Sequence, residues 1–204
     1  MAKKESLLQL TLSLTLISLA AGIALVFVFY VTKEPIEKMK LNNKNSAIKL
    51  VLPEFNGEIE APVELTLEGD KQPVIIHPAY QNGNICAVAV ETYTDQGFSG
   101  YFSIMVGLDV TGVILGTELL QSNETPGLGE KIDKNKSDFP YQFIGKKTTV
   151  SKLKVKKDGG DIDAITGSTI SSRAYCDAVN RACRACQTYI EKCQTENIKE
   201  VSND

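Results

Sequence analysis

Several things this sequence has little of narrow its chemistry. One histidine, His77, occurs among 204 residues, and none stands near the cysteines. That disfavours a metal centre, which draws on clustered His, Cys and carboxylate ligands. There is no cysteine spacing of an iron–sulfur cluster and no Gly-x-Gly-x-x-Gly dinucleotide fingerprint. Neither an iron–sulfur cluster nor a bound dinucleotide is therefore expected of the chain by itself. A basic surplus is missing too. Setting Lys3, Lys4 and Glu5 aside from 22 basic and 25 acidic residues leaves 20 and 24, a net charge of −4. Nucleic-acid binding wants a basic footprint, and so does a surface held to anionic lipid by charge. Internal repeats and low-complexity linkers are absent.

Charge is also missing from Ser6 to Thr32, where most side chains are Leu, Ile, Val, Ala or Phe. Such a run exceeds the roughly 20 residues that cross a bilayer core. A cleaved signal peptide is the competing reading. Its apolar region would be about 7–15 residues long and would end at a small-x-small site. Ser18-Leu19-Ala20-Ala21 has that form, but Ile23 to Val31 carry the apolar run beyond it, which favours an uncleaved anchor. Orientation is weakly encoded. Lys3 and Lys4 favour a cytoplasmic N-terminus, while Lys33, Lys38 and Lys40 flank the other end beside Glu34 and Glu37.

The five cysteines are an odd number, which sits poorly with a disulfide framework. Cys183-Arg184-Ala185-Cys186 has CxxC spacing, so thiol-redox chemistry competes with a packing role. Cys176, Val179, Cys183, Cys186, Ile190 and Cys193 recur at steps of three and four, one apolar stripe at helical period. Free cysteine packs as a small hydrophobe, so the stripe reads first as the core face of the last helix.

Four segments follow from the pattern: an N-terminal transmembrane anchor at 1–33, a membrane-proximal helix or linker at 34–57, a globular domain at 58–195 and a polar tail at 196–204. Ile36, Met39, Ala47, Ile48 and Val51 give the second segment an apolar face, and Pro53 to Gly57 ends it. Residues 58–80 alternate around Glu68-Gly69-Asp70, which predicts a short strand pair. Strands are expected at Ile85 to Tyr93, Tyr101 to Leu108 and Val113 to Leu120, broken at Gly97 to Gly100 and by the turn tetrapeptide Asp109-Val110-Thr111-Gly112. A further strand is expected at Thr148 to Val155, then a turn at Asp158-Gly159-Gly160 and a helix from about Ile170 to Cys193. The fold class is α+β: one transmembrane helix, then a mostly antiparallel sheet packed against a C-terminal helix.

Two motifs carry chemistry. Asp163-Ala164-Ile165-Thr166-Gly167-Ser168-Thr169 precedes the last helix. A helix start has unpaired N–H groups and partial positive charge, so it stabilises a phosphate. Gly167 permits close approach, and Ser168, Ser171 and Ser172 add hydroxyls. The same residues also suit a plain helix cap. Glu124-Thr125-Pro126-Gly127-Leu128-Gly129 combines one fixed φ with two permissive glycines. Such a loop can lay backbone against a flat ring, with Thr125 and Leu128 as polar and apolar contacts; alone it reads as a surface turn.

Together these motifs resemble the G subunits of Rnf-type ion-translocating ferredoxin:NAD⁺ oxidoreductases, which are related to the C subunits of sodium-pumping NADH:quinone reductases. The likeness covers nearly the whole chain: the anchor, Tyr101 to Asp109, Glu124 to Gly129, Gln142 to Lys146, and Asp163 to Thr169. The family form of the last motif is Asp-x-x-Ser/Thr-Gly-Ala-Thr/Ser, and Ser168 stands where alanine is usual.

The resemblance implies an FMN-binding domain with FMN joined through its phosphate to Thr169. Ser168, Gly167, Thr166, Asp163, Glu124, Thr125, Gly127 and Leu128 are the expected cofactor-binding residues, and Asp163 is expected to act during attachment. It implies a single-pass protein of the cytoplasmic membrane with its soluble domain on the extracytoplasmic side. Its expected partners are the other membrane and peripheral subunits of the complex and a flavin transferase, with no nucleic acid. It implies electron relay coupled to Na⁺ or H⁺ movement elsewhere in the complex. The uncharged anchor offers no ion path of its own. Alternatives remain: an FMN carrier of a quinone reductase or of an extracellular electron-transfer chain, a tethered non-redox interaction domain, or a thiol protein using Cys183 and Cys186. His77, Lys131, Lys146 and Lys152 are further candidates for cofactor contact, and each reads as well as solvated surface.

Overall fold

The computed structural model of the chain describes residues 7–52, 57–148 and 150–201. Pro53 to Asn56 in the expected helix-ending segment, Thr149, and the last residues of the polar tail lie outside the described residues. The chain divides into two units, residues 1–43 and 44–204.

The first unit is helical. Helix α1 (Leu7–Val51) has 45 residues, so it is about 68 Å long, well over a bilayer core. Leucine, valine and phenylalanine side chains from Leu7 to Val31 are more than half exposed. That is the signature of a helix whose solvent is lipid, and the chain is membrane-anchored. Hydroxyls inside the apolar run are satisfied locally. Thr11, Thr15 and Thr32 each donate to a carbonyl four residues back, at 2.6–2.8 Å. Of the apolar face expected on 34–52, Ile36 and Met39 are exposed, whereas Ala47, Ile48 and Val51 are buried.

The second unit is built on one antiparallel sheet. Its strands are β1 (Glu58–Ile59), β2 (Val63–Leu65), β3 (Val74–Gln81), β4 (Asn84–Gly97), β5 (Gly100–Asp109) and β6 (Ile114–Ser122). The order is β1-β3-β4-β5-β6, with β2 also on β3. Glycine and aspartate set the reversals. The Leu67–Asp70 turn has Gly69 at φ +87°. At Asp109–Gly112, Asp109 Oδ1 accepts bonds from the N–H groups of Thr111 and Val113, at 2.8 and 2.9 Å.

Alternation along the strands sends two residue sets to opposite faces. Val74, Ile76, Val88, Val90, Ile104, Val106 and Leu108 meet helix α2 (Thr169–Val201) through Ala174, Tyr175, Ala178, Val179 and Ala182. On the other face, Ala79, Ala87, Ala89 and Met105 pack against Ala47, Ile48, Val51 and Leu52 at the end of α1. Small residues there let the helix lie close. A Cβ on Gly107 would stand 2.1 Å from the Val51 carbonyl oxygen, and one on Gly116, its partner across β5 and β6, 3.0 Å from Val51 Cα.

The strand expected at Thr148 to Val155 does not form. Among the described residues of that stretch only Val155 makes a ladder contact, a lone parallel bridge to Ile162, with an antiparallel bridge between Val113 and Lys147 just before it. The apolar residues Leu153 and Val155 are buried as an alternating pair should be, but they serve a tight loop rather than a sheet edge. The polar stretch before it contains short 3₁₀ segments at Gly129–Ile132 and Phe139–Phe143. Phe139 and Phe143 clamp that second segment onto Tyr175, with ring centroids 5.4 and 5.2 Å away. Helix α2 begins one residue before the expected start and runs past Cys193 to Val201.

The cysteine stripe lies in the core: Cys176, Cys183 and Cys186 are 2–5% exposed. Burial pushes these three thiols from 9.0 up to about 12. A pKa raised on folding gives stability that is fully present below the unfolded value and is lost as pH rises through the folded one. Unfolding midpoints of the detergent-solubilised chain should therefore fall as pH climbs from 9 towards 12. Native alkylation at pH 8 should reach the half-buried Cys86 and Cys193 first. Gly107→Ala should destabilise the chain by about 1–3 kcal/mol through overpacking, and Gly116→Ala by less, measured by thermal or denaturant unfolding.

Candidate functional site

The loop after β6 and the start of α2, far apart in sequence, face one cleft of about 370 Å³. That lies within the usual range for small-molecule sites, roughly 300–1,000 Å³. Glu124, Thr125, Leu128 and Gly129 form one wall; Gly167, Ser168, Thr169, Ile170 and Ser171 form the other; Phe98 and Lys157 complete it.

The loop wall is shaped by its own backbone. The Thr125 carbonyl accepts from Leu128 N–H and Glu130 N–H, both at 3.2 Å. Gly127 sits at φ +75° and donates its N–H to Glu130 Oε1 at 2.7 Å. Leu128 is left nearly half exposed on the rim.

Glu124 holds the site together. It is 8% exposed, and both carboxylate oxygens are engaged. Oε1 accepts from Ser99 N–H at 3.3 Å, and Oε2 accepts from the Ser171 hydroxyl at 3.1 Å. Two glycines make the space. A Cβ on Gly97 would lie 2.6 Å from Oε1, and one on Gly129 would lie 2.2 Å from Oε2. One buried carboxylate thus ties together the β4–β5 turn, the loop after β6 and the first turn of α2.

The helix wall begins with a turn closed by Ser168 N–H to the Ile165 carbonyl at 3.0 Å, with Gly167 at φ +81°. Leu128 Cδ2 stands 3.4 Å from where a Gly167 Cβ would be, so the two walls meet there. The Ser172 hydroxyl staples this turn. It accepts from Ile165 N–H and donates to the Ser168 carbonyl, both at 2.9 Å. Ser171 and Ser172, expected as hydroxyl donors to a ligand, are spent on the scaffold. Ser168 is 7% exposed and Thr169 is half-buried on the cleft.

The segment before the turn is set by Gln142. Its side-chain amide accepts from Asp163 N–H at 2.8 Å and donates to the Asp163 carbonyl at 3.1 Å, the pattern of one ladder rung. The Asp163 carboxylate is exposed and pairs with Lys156 Nζ at 2.8 Å.

Of the expected residues, Glu124, Thr125, Leu128, Gly167, Ser168 and Thr169 line the cleft together. Gly127 shapes the loop without lining it, and Asp163 and Thr166 lie outside the lining. His77, Lys131, Lys146 and Lys152 do not line it either. Burial holds the His77 imidazole below its usual range, with nearby Glu91 opposing and Lys44 assisting. Cys183 and Cys186 face a different, smaller cavity of about 190 Å³. Three cleft residues escaped sequence reasoning. Phe98 had a signal, an aromatic between turn residues in Gln96-Gly97-Phe98-Ser99-Gly100. Ile170 and Lys157 had none beyond a helix start and a run of lysines.

The arrangement fits a flavin phosphate. The first turn of α2 offers backbone N–H groups, and Lys157 adds a cation. Phe98, Leu128 and Ile170, all exposed by roughly half or more, offer an apolar rim to a flat ring. The glycines at 97 and 129 leave room for the Glu124 carboxylate in the wall, where Ser99 N–H and the Ser171 hydroxyl bond it.

Comparison with known proteins points the same way. The family of FMN-binding domains matches residues 97–184, which takes in the β4–β5 turn, the loop after β6 and Thr169. The chain is similar to the G subunit of the ion-translocating oxidoreductase complex of Vibrio atlanticus, at 38% identity over 161 residues, 75% of this chain and 77% of that one. It is similar to the G subunit from Aliivibrio fischeri at 33% over 202 residues, 95% and 94% of the two chains. With the G subunit from Shewanella piezotolerans it shares 44% over 117 residues, 56% and 55% of the two.

Removing the Glu124 carboxylate strands its partners. Glu124→Ala should cost about 1–3 kcal/mol, because the buried Ser171 hydroxyl and the Ser99 N–H lose their acceptor. Glu124→Gln keeps one carbonyl oxygen and should cost less. Denaturant unfolding of the two variants beside the wild type reads the difference.

Proposed function

The chain belongs to the family of G subunits of the ion-translocating oxidoreductase complex and carries an FMN-binding domain, and on that premise we propose that it is the complex's membrane-anchored electron relay, with FMN bound covalently through its phosphate to Thr169 Oγ1. One observation carries the attachment site. Of the hydroxyls at the start of α2, those of Ser171 and Ser172 are hydrogen-bonded within the scaffold and Ser168, just before the helix, is 7% exposed, while Thr169 stands half-buried on the cleft.

Thr169 Oγ1 is the nucleophile in attachment. Its bond to phosphorus forms as the phosphoanhydride bond of an activated flavin phosphate breaks. The leaving phosphate takes the electron pair, and the threonine proton passes to a base of the flavin transferase. Asp163 is exposed and outside the cleft lining, which suits a role in the transferase's active site rather than against the bound flavin.

Once attached, FMN supplies one- and two-electron redox chemistry, and the protein supplies position and surroundings. The first turn of α2 would hold the phosphate through its backbone N–H groups. Leu128, Phe98 and Ile170 would flank the ring, and Thr125 would offer a polar contact. The soluble domain lies on the extracytoplasmic side of the cytoplasmic membrane. No dependable pool of free flavin exists there, so a covalent bond keeps the cofactor in place. The partners are the other membrane and peripheral subunits, between which electrons pass, with ion movement elsewhere in the complex.

Intact mass of the protein from its native membrane is the test. Wild type should carry the added mass of one FMN, Ser168→Ala should keep it and Thr169→Ala should lose it. An unmodified wild-type chain, or a modified Thr169→Ala chain, overturns the assignment. Asp163→Asn should lower the modified fraction while leaving the melting temperature near that of wild type.

A further inference from the structure

Lys157 is the only basic side chain that lines the cleft among the described residues. It sits in a 3₁₀ turn, Lys156–Asp158, closed by Gly159 in the left-handed region at φ +77°. Everything around it is tied down. Lys156 Nζ pairs with Asp163 Oδ2 at 2.8 Å. Asp158 accepts two bonds from Arg173, both at 2.7 Å, which dock the turn on the first turns of α2. The Arg173 guanidinium holds the Asp158 carboxyl below its usual range. Lys156 N–H bonds to the Ile162 carbonyl at 2.8 Å, and Ile162 N–H to the Lys154 carbonyl at 3.0 Å. A Cβ on Gly160 would lie 2.0 Å from the Lys154 carbonyl oxygen, so the loop is folded tightly on itself.

Lys157 is the exception. No hydrogen bond or salt bridge engages its ammonium among the described residues. The neighbouring Asp158 carboxylate is already taken by Arg173. A fixed strap with both flanking charges in ion pairs therefore carries, on the same cleft as Thr169, one ammonium that acts on Asp158 only through its field and has no hydrogen-bond or salt-bridge partner among the described residues.

We propose that Lys157 is a positioning residue for the cofactor, pairing with the phosphodiester formed at Thr169 and fixing it at the first turn of α2. The chemistry is that of a point-charge ammonium meeting a phosphate oxygen beside helix N–H donors. This rests on the covalent-flavin reading above. It adds a third fixed point for the tethered group, besides the bond and the helix end, and so limits its swing about the Oγ1–phosphorus bond.

The test uses the full chain in detergent, co-expressed with a flavin transferase, with Thr169→Ala as the flavin-free form. Lysines are acetylated with an N-hydroxysuccinimide ester and read by peptide mass spectrometry. Lys157 should react several-fold more slowly in the flavinylated chain, while the exposed Lys152 reacts alike in both. Equal rates at Lys157 overturn the proposal. Because a ring could shield the amine without pairing, charge is tested separately. The rise in melting temperature that flavinylation brings should shrink in Lys157→Gln and persist in Lys157→Arg; equal rises in both overturn the proposal. An absence of FMN mass in wild type would sink the flavin reading instead, so the two failures are distinguishable.

Discussion

The carboxylate of Glu124 is the constraint on which the cleft depends. It is a charged group taken nearly out of water, which is tolerable only when hydrogen bonds replace hydration. Both replacements come from other elements, Ser99 before β5 and Ser171 in α2. The geometry also needs absent side chains, since any Cβ at Gly97 or Gly129 would occupy the space of an oxygen. The β4–β5 turn and the loop after β6, already neighbours through the β5–β6 ladder, are thus tied to the first turn of α2 by one side chain. The cleft is the gap left between them.

A second requirement is that α2 be immobile at its first turn, because that turn is the other wall. Aromatic packing of Phe139 and Phe143 on Tyr175 fixes the helix from one side. Gln142, carried between those two phenylalanines, reaches across to hold Asp163 in place. Further along, Arg181 pairs with Asp70 at 2.9 Å and lies 4.7 Å over the Tyr93 ring, joining α2 to the β2–β3 turn. The sheet receives apolar cover on both faces, from α2 and from the end of α1, and so forms a rigid base for the cleft.

Much of this was legible from residues alone, for physical reasons. Strand alternation and Asp–Gly turns are local signals, and β3 to β6 follow them closely. The step of three and four through Cys176, Cys183 and Cys186 marked the buried face of α2. The Glu124 and Thr169 motifs were recognisable as belonging together, but nothing local showed that Ser171 would serve Glu124 rather than a ligand. Leu153 and Val155 have the spacing of a strand, yet they are buried by a loop that folds back through Val155 and Ile162. Ile36 and Met39 have the spacing of a core face, yet they are exposed on a stretch of α1 that also carries the exposed pairs Lys33–Glu37 and Lys38–Glu34. Lys157 was invisible because its meaning comes only from the pairing of its neighbours.

The electrostatics of the whole chain bear on why a bond rather than affinity would retain the cofactor. The net charge is −3, so the long-range field does not gather anions. Attraction for phosphate is confined to one helix end and one lysine, and the helix contribution fades within a turn. The cleft is shallow enough to leave Leu128 and Ile170 about half exposed, so little apolar surface would be removed from water by a ring lying there. Such a site is poorly suited to holding a dissociable anion at low concentration. It is well suited to orienting one that is already attached. The open rim that weakens affinity would also leave the edge of a bound ring reachable by a partner, as the proposed electron relay requires. Weak non-covalent binding and exposure of the ring would then be two consequences of one shallow geometry, and the phosphoester proposed at Thr169 would make them compatible.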